Sequence, residues 1–192
     1  MTEVHVFIRH GDKKHDNRPA QKFGLDPELT YRDREIAREL VAQLYSEYGL
    51  PKRIHTSPFL RCRQTSDMLL EYCQEVALDP EEVDIPVVVE PELSEYFGSN
   101  YTISTQAIRP ETLQAGLYIE RGGHHSLHRR TKNYWDSLME PNDIKDGRVV
   151  YWHVSHGTVI SSITRIAGMD RVRLNTLGHT VIIIGSQDRS EV

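Results

Sequence analysis

Short runs of β-branched and aliphatic residues alternate along this chain with longer stretches of helical spacing. That alternation restricts the possible folds more than any other feature. Val4 to Ile8 reads as a first, buried strand. The polar stretch 11–30, with Pro19, Gly24 and Pro27, reads as a loop. Thr30 is a candidate N-cap, and Ile36, Ala37, Leu40, Val41, Leu44 and Tyr48 form one apolar stripe behind it. Gly49 and Pro51 are stop signals. Lys52 to Thr56 reads as a second strand, and Ser57-Pro58 as a cap with proline at the first helical position. Met68, Leu69, Tyr72, Cys73 and Val76 continue that helix. Ile85 to Val89 is a third strand, followed by an irregular region from Glu90 to about Arg109. Helices over Glu111–Leu117 and Ser126–Leu138, a strand over Arg148–Val154, a helix over Thr158–Ala167 and a strand over Thr180–Ile184 complete the order. The pattern β-α-β-α-β-α-α-β-α-β predicts α/β layers around a largely parallel sheet, with strand order left open.

A chain of 192 residues without internal repeat, low-complexity tract or linker suits one domain, 1–192. Its net charge of −5 argues against a general nucleic-acid binder. The longest purely apolar runs, such as Val181 to Ile184, are far short of the ~20 residues of a membrane span, so no membrane partner is expected. The opening residues lack the regions of a signal peptide. Asn100-Tyr101-Thr102 therefore matches the glycosylation pattern by chance. Cys62 and Cys73 fall eleven residues apart in one expected helix. That puts them roughly 16 Å apart, where a disulfide needs Cα atoms within about 7 Å. Reduced thiols in a cytoplasmic protein are the expectation.

Open α/β sheets bind ligands beyond the carboxyl ends of their strands. The first strand delivers Arg9, His10 and Gly11 there. The second delivers Ser57, Pro58 and, one helical turn on, Arg61; the fourth delivers Ser155, His156 and Gly157. Two histidines and two arginines thus arrive on one rim. The second and fourth strands also run into helix N-termini, which present free N–H groups. The glycines leave room for backbone to approach a ligand. Such a cationic, donor-rich pocket fits a tetrahedral oxyanion, because arginine forks bind phosphate bidentately.

The stretches FIRHG, TSPFLRCRQT (Thr56–Thr65), ELSEYFG (Glu92–Gly98) and VSHGTVI (Val154–Ile160) occur in this order. Together they resemble the histidine phosphatase superfamily, also called phosphoglycerate mutase-like, over most of the chain. The resemblance implies a three-layer α/β sandwich with a mostly parallel central sheet, and a substrate-covering insertion at about 90–135. It also implies a metal-independent phosphatase that needs no cofactor. His10 would be the nucleophile, with Arg9, Arg61 and His156 holding the phosphoryl oxygens and His156 also stabilising charge in transfer. Glu95, in Leu93-Ser94-Glu95, would be the general acid, with Glu92 the runner-up and Glu90 a distant third. The implied substrate is a phosphorylated small molecule or a phosphopeptide. The rival readings are a phosphoglycerate-type mutase and a catalytically idle phosphate-binding module of the same fold. Mutases and sugar-bisphosphate phosphatases of the family usually continue the first motif with Glu-Ser and an asparagine a few residues on. Here Asp12-Lys13-Lys14-His15-Asp16 takes that space with Asn17 displaced, and Asp33 stands where glycine is frequent. These departures argue against mutase chemistry and leave phosphoryl removal intact.

Each assignment has a plainer alternative. His10 and His156 could be strand-end histidines that only pack or cap. Arg61 could be a surface arginine like its neighbour Arg63, and Glu95 a solvated loop carboxylate. His124, His125 and His128 could suggest a metal, but they open an expected helix with no cysteine or acid at ligand spacing, and read as the site's edge. Arg130 matches a Phe-x-x-Arg-like position of the family. Tyr151, Trp152 and His153 read as core. Lys13, Lys14, His15 and Arg18 form a basic loop that is either a solvated charge run or a rim attracting anions, and Arg121, Arg129 and Arg130 carry the same ambiguity.

Overall fold

Apolar residues on alternate positions of the first strand face one way, Val4, Val6 and Ile8, and Phe7 faces the other. A strand buried on both sides demands helices on both faces of its sheet. The computed structural model, which describes residues 2–14, 22–79, 83–98, 103–117, 123–140 and 147–185, supplies them. The strands are β1 (Thr2–Arg9), β2 (Arg53–Thr56), β3 (Val87–Val89), β4 (Arg148–Ser155) and β5 (His179–Gly185). The helices are α1 (Arg34–Tyr48), α2 (Leu60–Val76), α3 (Pro110–Gln114), α4 (Gly123–Met139) and α5 (Gly157–Ile166). The sheet order is β3-β2-β4-β1-β5, parallel except for β5, which runs antiparallel to β1.

One core joins Val4, Val6, Ile8, Ile54, Trp152 and Val154 to Ala37, Leu40, Val41 and Leu44 of α1 and to Leu69 and Tyr72 of α2. The opposite core joins Phe7 to Leu127 and Tyr134 of α4 and to Val159, Ile160 and Ile163 of α5. The three-layer arrangement with a mostly parallel sheet is therefore as the sequence predicts. The chain leaving β1 enters α1 on one face and the chain leaving β4 enters α5 on the other. That divergence opens a crevice at the carboxyl ends of β1 and β4. No helix among the described residues is long and apolar enough to cross a membrane.

Several boundaries differ from expectation for local reasons. Thr30 does not cap α1, because Tyr31 takes a left-handed φ of 57° that no helix interior accepts. The helix starts after Asp33, and the Thr30 hydroxyl donates to Asp12 Oδ2 at 3.0 Å. Pro58 is not the first residue of α2, since Phe59 is extended and the helix begins at Leu60. The Leu60 N–H is satisfied from a distance, by Asp26 Oδ1 at 2.8 Å. Pro86 has no N–H for a ladder, so β3 starts at Val87, two residues after the expected Ile85. Gly116, at φ 83°, lies beyond the end of α3, which stops short of the expected Leu117. Ile36 is 52% exposed and falls outside the buried stripe of α1. Gly49 ends α1 as expected, with φ 88° and its N–H on Tyr45 O.

Candidate active site

Strand register assembles the site. Arg9 pairs with Ser155 and Thr56 with Val154, so the residues after these positions leave the sheet at one level. The His10 N–H donates to Ser155 O at 3.0 Å and the Ser57 N–H to Val154 O at 2.9 Å. As a result the rings of His10 and His156 stand 5.3 Å apart in an edge-on arrangement. Arg61, in the first turn of α2, reaches between them with its side chain 1% exposed. Its guanidinium lies 4.7 Å over the Phe59 ring, which also meets His156 edge-on. Glu95, beyond the 3-10 turn Pro91–Leu93, closes the group.

The hydrogen bonds fix the protonation of each member. His10 Nδ1 lies 2.7 Å from Gly11 O, an acceptor, so Nδ1 carries the proton. Arg61 Nε, a donor, lies 3.4 Å from His10 Nε2, so Nε2 presents a lone pair. Burial, then the charge of Arg61 and the neighbouring His156, hold His10 well below the usual histidine range, and it is neutral at pH 7. His156 is pushed down to about 4, by burial first and by Arg61 against the pull of Glu95. Its Nδ1 lies 3.0 Å from Glu95 Oε2 and its Nε2 2.9 Å from Ser57 Oγ. In the neutral ring Nδ1–H therefore donates to Glu95, and the Ser57 hydroxyl donates to Nε2. Arg61 Nη2 donates to the same Glu95 oxygen at 2.8 Å. Burial pushes the Glu95 carboxyl up, but His156, Arg61 and His10 outweigh it and hold it well below the usual range. Glu95 is thus an ionised carboxylate on the donors that a phosphoryl oxygen would use. Cys62 Sγ lies 3.5 Å from His156 Nε2, but burial pushes its thiol up to about 12, so it stays protonated and is no nucleophile.

Arg9 extends the site outward. Its Nη1 donates to Leu174 O at 2.6 Å, while its buried Nε has no hydrogen-bond partner among the described residues. Arg9, His10, Lys13 and Glu95 open into a cleft of about 1070 Å³, whose wall is α5 on one side and His124, His125 and His128 of α4 on the other. Lys13 is lowered by burial and then by Arg61. Lys14 instead pairs with Glu28 at 2.8 Å on the surface, so the basic loop divides into a cleft cation and a solvated one. His15, Asp16, Asn17, Arg18 and Arg121 lie outside the described residues. Neither Gly11 nor Gly157 has a positive φ, and a Cβ at either would meet its neighbours at ordinary contact distances. The fold does not require glycine there, which leaves ligand approach as the physical use.

The other acidic candidates lie elsewhere. Glu90 Oε1 is 2.9 Å from His55 Nδ1, on the sheet face below α4. Glu92 is not in the cleft wall, and its carbonyl accepts from Arg130. Arg130 also donates to Ser94 O at 2.8 Å, so this buried arginine holds the backbone that presents Glu95. His153 is buried as expected, between Tyr134 Oη at 2.7 Å and His5 Nδ1 at 3.0 Å. Trp152 is core, whereas Tyr151 is half-buried. Sequence reasoning placed Ser57 on the rim as a cap without its bond to His156, and missed Asp26 and Thr65 as supports. Asp26 is fully buried, 3.9 Å from Arg61 Nη1, and accepts from Thr112 Oγ1 at 2.6 Å. Thr65 Oγ1 accepts from the Gly11 N–H and donates to Arg61 O. The Asp-Pro pair at 26–27 and the Thr65 in the quoted motif were the available signals.

His10, Glu95 and His156 offer three ligand atoms within 4.8 Å of one another, a spacing compatible with a metal ion. Arg61 decides against that use, because its guanidinium touches all three groups and would repel a cation. The donors it presents suit an anion.

Buried neutral histidines couple this geometry to acid stability. Unfolded histidine binds a proton near pH 6.5, while His10, His153 and His156 are all held lower in the fold. The unfolded chain then binds more protons below pH 6.5, and stability falls as pH falls. Each histidine that stays neutral at pH 5 costs about 2 kcal/mol there. Thermal unfolding scans should show Tm flat above pH 7 and lower by roughly 10–20 °C at pH 5, the effect of about 6 kcal/mol from the three histidines together. A Tm unchanged between pH 5 and 7.5 would contradict the buried, neutral state.

Comparison with known proteins identifies the family and the fold. The model of the histidine phosphatase superfamily (branch 1) matches residues 5–184. No curated protein matches the chain. Among solved structures, a candidate alpha-ribazole-5'-P phosphatase from Escherichia coli is similar at 21% identity and a TM-score of 0.64, covering 96% of this chain and 92% of that one. A mycobacterial glucosyl-3-phosphoglycerate phosphatase is 18% identical with a TM-score of 0.62, over 95% and 91% of the two chains. A phosphoglycerate mutase from Bacillus anthracis is 17% identical with a TM-score of 0.65, over 95% and 88%. At these identities the structural likeness shows the fold.

Proposed function

This chain belongs to the histidine phosphatase superfamily, branch 1, and from that premise we propose that it is a metal-independent phosphatase of phosphate monoesters. The observation that carries the reading is the state of His10. Its Nε2 lone pair is unprotonated, held in place through Nδ1–H on Gly11 O, and set beside Arg61 and His156. An activated nucleophile with fixed donors around it is what phosphoryl transfer needs, since the reaction depends mainly on positioning and charge stabilisation.

In the first step the phosphoryl group displaces the Glu95 carboxylate from Arg61 and His156. The arriving dianion raises the Glu95 pKa by repulsion and by taking its partners, so the carboxyl can acquire a proton. His10 Nε2 attacks phosphorus, the bond to the leaving oxygen breaks, and Glu95 gives that oxygen its proton. The products are an alcohol and a phosphohistidine whose Nδ1–H remains on Gly11 O. In the second step water attacks phosphorus, its proton passes to Glu95, and the N–P bond breaks to release phosphate. Arg9, whose Nε has no partner among the described residues, Arg61 and His156 hold the equatorial oxygens throughout.

A mutase would have to keep the phosphohistidine from water; a cleft of about 1070 Å³ leaves room for water beside the intermediate, which favours hydrolysis. An idle binding module would not need an unprotonated, positioned His10. A cytoplasmic setting belongs to the same reading and is supported by two buried, unbridged cysteines. The test is p-nitrophenyl phosphate hydrolysis in excess chelator. The rate should equal that without chelator; loss on chelation, restored by a divalent metal, would overturn metal independence.

A further inference from the structure

During phosphoryl transfer Arg61 must stay in place while its nearest carboxylate leaves it. We propose that Asp26 is a positioning residue of the reaction, whose carboxylate holds the Arg61 guanidinium from behind once Glu95 has turned to the leaving oxygen. This rests on the phosphatase reading of His10 and adds to it a residue that touches no substrate.

The donors of Arg61 divide into two sets. Nε faces His10 Nε2 at 3.4 Å, and Nη2 faces Glu95 Oε2 at 2.8 Å and His156 Nδ1 at 3.2 Å. Those partners rearrange when a phosphoryl group arrives. Nη1 instead serves the chain behind the site, with Leu25 O at 3.3 Å and Asp26 Oδ1 at 3.9 Å. Asp26 is fully buried and is not part of the cleft wall, so it acts on a ligand only through Arg61. Among the described residues Arg61 is the one cationic side chain within ion-pair distance of it. Burying a carboxylate is costly unless a cation accompanies it. The other two duties of Asp26 need no charge. Oδ1 accepts the Leu60 N–H at the start of α2 at 2.8 Å, and Oδ2 accepts the Thr112 hydroxyl at 2.6 Å. A neutral amide serves both, so the charge is there for Arg61.

The carboxylate is itself fixed from the insertion. The Phe23 N–H donates to Gln106 O at 3.1 Å and the Leu25 N–H to Ala107 O at 3.0 Å. Arg109 Nε donates to Asp26 O at 3.2 Å. Leu25, Ala107 and Ile108 form a small core beside these bonds, with Phe97 and Leu113 packed against it. Thr112 Oγ1 also lies 3.2 Å from Pro58 O, so one hydroxyl joins α3 to Asp26 and to the entry of α2. A guanidinium held on one side by a fixed carboxylate keeps its remaining donors aimed at the phosphoryl oxygens, and such preorganisation acts on the transition state.

D26N tests this directly, because it removes the charge and spares the hydrogen bonds. Asparagine Oδ1 still takes the Leu60 N–H, its Nδ2–H donates to Thr112 Oγ1, and the Thr112 hydroxyl turns to Pro58 O. With p-nitrophenyl phosphate, kcat should fall by about thirtyfold while KM stays within about threefold. In R61K, whose ammonium has no fork to orient, the same swap should cost less than about threefold. A side chain that only supports the fold would cost the same in both backgrounds. Vanadate, a mimic of the five-coordinate transition state, should bind D26N about tenfold more weakly, with inorganic phosphate within about threefold of wild type. The cycle with R61K is read in kcat and in the ratio of vanadate to phosphate affinity. A kcat within about twofold of wild type, an equal loss in both backgrounds, or parallel weakening of vanadate and phosphate would overturn the assignment. So would a D26N that does not fold, since the charge would then be holding the chain together rather than the guanidinium. If wild type hydrolyses nothing yet the vanadate-to-phosphate ratio still drops in D26N and not in D26N/R61K, the phosphatase reading fails and the positioning role stands.

Discussion

Replacing His10 by alanine should lower phosphatase turnover by at least about a thousandfold on every monoester, because a nucleophile's role is not shared with its neighbours. His10 makes two side-chain polar contacts, with Gly11 O and Arg61 Nε, so the truncated chain should still fold. Its far-ultraviolet circular dichroism should match wild type. Rapid quenching of wild type with labelled substrate should trap a phosphoenzyme that is labile in acid and stable in base, as an N–P bond is; H10A should trap none. Retention of more than about a tenth of the wild-type rate by H10A would remove the nucleophile assignment, and a base-labile adduct would move it to another residue.

Replacing Glu95 by glutamine should separate two roles of one carboxylate. As the acid, Glu95 matters when the leaving oxygen is basic. Turnover of alkyl phosphates should fall by about a hundredfold or more, and that of p-nitrophenyl phosphate far less. As the anion that occupies Arg61 and His156 in the free site, it competes with ligand. Glutamine carries no charge, so inorganic phosphate should inhibit E95Q about tenfold more tightly than wild type, despite the slower chemistry. A side chain that was only structural would not produce tighter binding with slower turnover. Uniform loss on both substrate classes, or weaker inhibition by phosphate, would reject the assignment. E92Q should stay within about twofold of wild type, because it is the Glu92 carbonyl that is engaged, by Arg130, away from the cleft.

The chemistry-bearing residues were legible because each follows a strand in a short motif. A strand's carboxyl end is where an α/β sheet exposes polar groups, so Arg9, His10, Arg61 and His156 could be picked out with no knowledge of strand order. Glu95 was harder, since three glutamates stand within six residues. Only the fold separates them, sending Glu90 to His55, leaving Glu92 off the cleft wall and turning Glu95 onto Arg61. Asp26 was invisible as a support because its partners, Leu60, Arg61 and Thr112, are remote along the chain.

Local chemistry alone determined the elements of this protein and the reactive side chains at their ends, because hydrophobic period, turn residues and functional groups are properties of neighbours in sequence. The tertiary structure decided which charges meet. Pairing Arg9 with Ser155 set two imidazoles edge to edge, and a buried guanidinium between them fixed their protonation. Those distances arise between residues some 50 to 150 positions apart, and electrostatic energy depends on separation in space, which only the packed fold specifies.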